Sequence, residues 1–229
     1  MKKKITLLLL LTLISGCGNK AVDNQTTTQT TTELTTEITT LTEAGSQENQ
    51  EKSTYEAPTY SAEEKKERYQ AAEKQVEELK KQYGEKLFVS YDTTYAVGFP
   101  DEQWGGIEDD TLTTFTKNNM TITSMHLDEV DLPTFGNVKA VMPKTREALE
   151  KQYSKNEDTK NYRVLEFDFT SGEYDKALAV IEPVNEEQKY ILTLNIASDN
   201  NAFIICGYCD TSKELKEIKD ILQNNFYIF

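Results

Sequence analysis

The sequence is poor in the residues from which most catalytic and metal sites are built. It has one histidine (His126), three cysteines (Cys17, Cys206, Cys209) and three arginines (Arg68, Arg146, Arg163). With a single imidazole, a metal centre or a Ser-His-Asp array would have to use His126, and the spacings that accompany such sites do not surround it. A polar role at a strand edge suits it better. No catalytic residue, metal ligand or cofactor is therefore assigned from the sequence. Basic charge is also scarce: 39 Asp and Glu face 25 Lys and Arg, a formal net charge of −14. Such a chain repels phosphate backbones and anionic headgroups, which excludes nucleic acid and electrostatic membrane binding as partners. Long apolar runs are missing too. The apolar stretch Ile5–Ile14 would reach about 15 Å as a helix, half of the roughly 30 Å hydrocarbon core it would have to cross.

What that stretch does have is context. Lys2, Lys3 and Lys4 precede it and Ser15-Gly16-Cys17 follow it, the charged, apolar and small-residue zones of an export signal. Its end resembles the bacterial lipobox: an aliphatic residue (Ile14), two small residues (Ser15, Gly16), then Cys17. The resemblance implies diacylglycerylation of Cys17 and cleavage between Gly16 and Cys17 by signal peptidase II. It places the chain on the extracytoplasmic face of the membrane, with the lipid bilayer as a partner through acylated Cys17. Two acyl chains hold a protein stably where one holds it marginally. An ordinary secreted protein with a cysteine in its signal is the alternative. Removing the leader takes away three lysines and leaves the mature chain more acidic still. Scarce arginine with abundant Lys, Asn and Ile is the usage of an AT-rich genome and points to a Gram-positive envelope.

Four segments follow: a signal peptide (1–16), a lipidated cysteine with a Thr-rich linker (17–60), a charged amphipathic helix (61–84) and a globular domain (85–229). Thr26–Thr42 is mostly threonine, with Leu34, Ile38 and Leu41 its only apolar residues. Such a segment cannot bury enough surface to offset its ordering entropy, so a disordered tether is expected, with an r.m.s. reach of about 35–40 Å. Threonine runs are also acceptors for O-glycans. Ser61 and Glu64 form a capping box and Gly84 a stop. Between them Tyr69, Ala72, Val76, Leu79 and Tyr83 make a narrow stripe. The stripe suits either packing on the chain's own domain or a short coiled-coil seam forming a weak homodimer.

From Leu87 to Phe99 apolar residues alternate, ending at Pro100. Two strands are expected at Thr111–Thr116 and Met120–His126, an irregular stretch at Asp128–Pro143, and a helix at Lys144–Lys155. A four-strand meander follows: Tyr162–Thr170, Tyr174–Glu182, Lys189–Ala197 and Ala202–Tyr208. A last helix, Ser212–Asn224, has Thr211 and Glu214 as its capping box and Leu215, Ile218, Ile221 and Leu222 as its buried stripe. The fold class is α+β, a single mostly antiparallel sheet flanked by helices in an α/β/α sandwich after the tether. Tyr95-Ala96-Val97-Gly98-Phe99-Pro100 followed by Trp104, the Arg163–Tyr208 meander, and the closing helix with Phe226 resemble the PsbP-like fold. That resemblance covers about 140 residues. It implies binding or assembly of partners rather than catalysis, and offers no functional residue to carry over.

Cys206-Gly207-Tyr208-Cys209 is the one chemically loaded motif. It is read as a redox pair of a thiol-disulfide oxidoreductase, as a structural disulfide, or as two inert thiols. The helix cap falls after Cys209 instead of within the motif, and no proline follows it, which counts against a thioredoxin-like site. A regular strand would also put the two on opposite faces, with Cys206 facing the core. Tyr95, Phe99 and Trp104, beside Gly105-Gly106, are a candidate ligand surface for a sugar or peptide, or core aromatics. Glu108-Asp109-Asp110, Asp128-Glu129 and Asp131 are acidic loops without the twelve-residue calcium pattern. The function expected is a membrane-anchored, non-enzymatic binding or assembly module of the cell envelope, with an envelope protein or ligand as partner. The alternatives are the Cys206/Cys209 oxidoreductase and, third, a cell-wall hydrolase.

Overall fold

The computed structural model describes residues 55–109, 112–155, 161–184 and 190–229; the leader, Cys17 and the Thr-rich run lie outside the described residues. The elements in chain order are α1 (Ala62–Tyr83), β1 (Leu87–Val89), β2 (Tyr95–Gly98), β3 (Gly105–Asp109), β4 (Leu112–Lys117) and β5 (Met120–Leu127). Then come α2 (Leu132–Phe135), α3 (Val138–Val141), α4 (Arg146–Lys155), β6 (Tyr162–Thr170), β7 (Asp175–Pro183), β8 (Tyr190–Ala197), β9 (Ala202–Cys209), α5 (Ser212–Asn224) and β10 (Phe226–Ile228). The main sheet has seven strands in the order β3-β4-β5-β9-β8-β7-β6, antiparallel throughout. A separate three-stranded sheet, β1-β2-β10, packs on one of its faces.

The period of two divides the core between the faces of the main sheet. Leu178, Val180, Leu192, Leu194, Phe203 and Ile205 point to one face, where they meet Ile218, Ile221 and Leu222 of α5 and Tyr95, Val97 and Phe226 of the small sheet. Ala177, Ala179, Ile191, Ile204 and Cys206 point to the other, covered by Leu132, Val138, Leu149 and Tyr153 of α2 to α4. Helices therefore flank both faces, the sandwich expected of an α+β chain. Helix α5 keeps the bounds its sequence signals. Thr211 Oγ1 accepts from the Glu214 amide at 3.2 Å, and the Thr211 amide donates to Glu214 Oε2 at 3.0 Å. Its three buried aliphatics contribute about 1.5–3 kcal/mol each on burial. The helix seats closely because Gly207 stands opposite Ile218: a Cβ there would lie 2.5 Å from Ile218 Cγ2.

Three expectations change. Leu87–Phe99 is a hairpin, not one strand: β1 and β2 pair antiparallel, and the chain turns at Ser90–Thr94 with Thr93 at φ 58°. Glu108 and Asp109, read as part of an acidic loop, lie in strand β3, which pairs with β4. Asp128–Pro143, expected to be irregular, holds the two single-turn helices α2 and α3.

The chain is also docked before α1. Tyr55 and Ala57, placed in the expected linker, pack against the α2–α4 side of the core. The Tyr60 hydroxyl donates to Asn200 Oδ1 at 2.9 Å, and its amide to Glu129 Oε2 at 3.2 Å. The stripe on α1 packs on β1 and β2 of its own domain, burying Ala72 and Val76 and leaving Tyr69 exposed. The Tyr83 ring covers Gly98, where a Cβ would lie 2.4 Å from it. Its hydroxyl donates to Asn225 Oδ1 at 3.0 Å.

Candidate functional site

His126 lies near the end of β5, and two segments far from it in sequence converge on its ring. Nδ1 lies 3.4 Å from Asp92 Oδ2 and 3.4 Å from Thr94 Oγ1, both in the β1–β2 loop. Nε2 meets Asn201 Oδ1 in the β8–β9 turn, and one face of the ring stacks on Phe203 with centroids 4.5 Å apart. Both nitrogens are thus engaged with protein oxygens. The imidazole ties the small-sheet hairpin to the end of the main sheet.

The hairpin loop is held from within by the same carboxylate. Asp92 Oδ1 accepts from Ser90 Oγ at 2.7 Å, Thr94 Oγ1 at 2.7 Å and the Thr94 amide at 3.1 Å. These bonds hold Thr93 in the left-handed region, an uncommon conformation for a β-branched residue. Burial by itself would raise the Asp92 pKa; hydrogen bonds from His126, Thr94 and Ser90 outweigh it and hold the carboxyl well below the usual carboxylate range. The loop presents Tyr91, which is 96% exposed, and both Glu108 carboxylate oxygens of β3 accept its amide at 3.1 Å.

A second polar group lies near the start of β3. Lys117 Nζ sits 2.5 Å from Asp101 Oδ2 and 2.7 Å from Glu217 Oε1. Trp104 Nε1 donates to the same Glu217 oxygen at 3.0 Å. The cluster fastens the β2–β3 loop to α5.

Each residue singled out by sequence now has a place. Cys206 and Cys209 are free, buried, and turned to opposite faces of β9, Cys206 towards α2–α4 and Cys209 towards α5. Burial pushes both thiols up to about 12. A redox nucleophile needs the opposite shift, and a regular strand keeps the pair from closing a bond. Tyr95, Phe99 and Trp104 are buried and do not form an exposed ligand surface. Phe99 stacks on Trp104 at 5.2 Å, and Tyr95 donates to Thr113 Oγ1 at 2.5 Å. Glu129 pairs with Lys65, and Asp128 Oδ1 accepts the Val130 amide at 2.7 Å. Among the described residues no three His, Cys, Asp or Glu side chains gather as a metal site. Cys17 lies outside the described residues.

Sequence reasoning missed Asp92, Thr94 and Asn201 as partners of His126, and missed β3. Asp92 followed two residues later by Thr94 is a local turn signal; Asn201 has no signal of its own, because only the β8–β9 turn brings it to His126.

No protein-family model and no curated protein sequence matches the chain. Solved structures resemble it at low identity. A protein from Bacteroides thetaiotaomicron VPI-5482 has 16% identity and a TM-score of 0.34 over 63% of this chain. This chain spans less than half of that protein, 48%. The solution structure of cyanobacterial PsbP (CyanoP) from Synechocystis sp. PCC 6803 has 8% identity and a TM-score of 0.41, over 62% of this chain and 91% of that one. Neither likeness gives any residue here a role.

Proposed function

We propose that this chain is a lipid-anchored module on the extracytoplasmic face of the membrane whose domain binds an envelope partner. The observation that carries the binding half is where the chemistry goes. His126, Asp92, Lys117 and Trp104 are spent on ties between segments, and both thiols of the β9 motif are buried. Meanwhile Ile107 stands exposed on the edge strand β3 and Tyr91 exposed beside it. The anchoring half is supported by Lys2–Lys4, the apolar run Ile5–Ile14 and Ser15-Gly16-Cys17. No helix among the described residues is long and apolar enough to cross a membrane.

Palmitate labelling and fractionation of cells producing Cys17→Ala test the anchor. The reading expects labelling to vanish and the protein to leave the membrane fraction; labelling that persists in the variant overturns it. Cross-linking on intact cells tests the partner, with Cys206→Ser as a control expected to leave the cross-linked species unchanged; no specific cross-linked partner would overturn the binding half.

A further inference from the structure

We propose that the free edge of β3 takes an extended, basic segment of the partner by strand addition. This rests on the reading of the domain as a binding module and says where and what it binds. Strand β3 ends the main sheet, and among the described residues no strand pairs with its outer side. All five of its residues are exposed, and its register on β4 runs from Gly105 to Asp109 without a break. An unbulged edge presents a row of backbone donors and acceptors that another strand can pair. Gly105 opens on empty space. Gly106 brings the backbone down on two aromatic rings: a Cβ there would lie 3.0 Å from Phe115 and 3.3 Å from Phe88. Ile107 is 75% exposed and Tyr91 stands beside Glu108, which supplies apolar contact at the far half of the strand.

Charge selects the occupant. Glu108 sits on the edge, on the face opposite Ile107, and Asp92 lies in the loop that carries Tyr91. A second copy would offer this edge no basic side chain, since β3 itself carries none. A segment alternating Lys or Arg with β-branched residues can set its β-branched side chains beside Ile107 and its basic ones beside Glu108, because those two point to opposite faces.

The probe is a labelled seven-residue peptide of alternating valine and lysine, titrated against the full chain in mild detergent. Two controls accompany it: a version with glutamate for lysine, and one with proline for the central valine. The lysine peptide should bind at least tenfold more tightly than either. Ile107→Lys and Glu108→Lys should each weaken it about tenfold with little change in the unfolding midpoint, and Asp168→Lys on β6 should leave it unaltered. Equal binding of the proline version would mean bulk charge attraction only and would overturn the proposal. So would indifference to the β3 variants, or a dimer that forms through β3 without peptide. Loss of peptide binding with palmitate labelling intact removes this proposal and leaves the anchored module standing; the reverse pattern removes the anchor alone.

Discussion

At one end of the main sheet β6 is nine residues long, shifts its register between Val164 and Glu166, and ties Arg163 to Glu182 and Glu166 to Lys219. At the other end β3 is five residues long, keeps an unbroken register, and carries two glycines and two carboxylates. Bulges and paired charges are the usual means by which a sheet protects an edge. Strand β6 has both, whereas β3 keeps an unbroken register and carries no basic residue. The difference teaches that edge protection is local: one sheet can be shut at one end and left open, but selective by charge, at the other.

The comparison can be strained first at its support. Phe115 is fully buried beneath β3 and packs on Phe88 at 4.8 Å and Phe99 at 5.1 Å. Phe115→Ala should cost about 3–5 kcal/mol in urea unfolding. Its local consequence should be faster amide exchange at 105–109 than at 162–170; equal loosening of both would mean the edges are not independent. Next, the neighbouring glycines of β3 should behave unlike each other. Gly106→Val drives a side chain into the rings and should cost about 1–3 kcal/mol. Gly105→Val, in open space, should stay within about 0.5 kcal/mol. Equal costs would contradict the packing that brings the edge onto Phe115.

Smaller effects belong to the β6 side and the loop. Lys219→Ala removes an exposed tie to Glu166 and should cost about 0.2–1 kcal/mol, much of it lost in high salt. The acid response of Asp92 is read as a change with pH. Its folded pKa is depressed, so its contribution is present above the unfolded value of about 3.9 and fades as pH falls through the folded value. Asp92→Asn should therefore unfold at a lower temperature at neutral pH, and the gap should narrow progressively as the pH falls below about 4. A gap that widens on acidification would refute the carboxylate's role in holding the loop.

Much of the fold could be read in advance where local signals agreed. Helix α5 and strand β6 fall on their expected bounds, Ser212–Asn224 and Tyr162–Thr170. A capping box with a 3.6-residue stripe fixes the one, and alternation up to a turn fixes the other. The same period of two already placed Cys206 and Cys209 on opposite faces. The hairpin was hidden because Leu87, Val89, Tyr95 and Val97 keep one alternation across the turn. Strand β3 was hidden because Gly-Gly and acidic residues are poor strand formers, and only pairing with β4 makes them one. The His126 site was invisible for a different reason. Its members at 92, 94, 126 and 201 share no spacing and meet only through the strand order.

Hydrogen exchange of the full chain with and without the valine-lysine peptide compares the two edges in one experiment. Strand addition predicts that the peptide slows exchange of amides in 105–109 while those in 162–170 are unchanged. Slowing at 162–170 instead, or no slowing at either edge with the peptide bound, would contradict it.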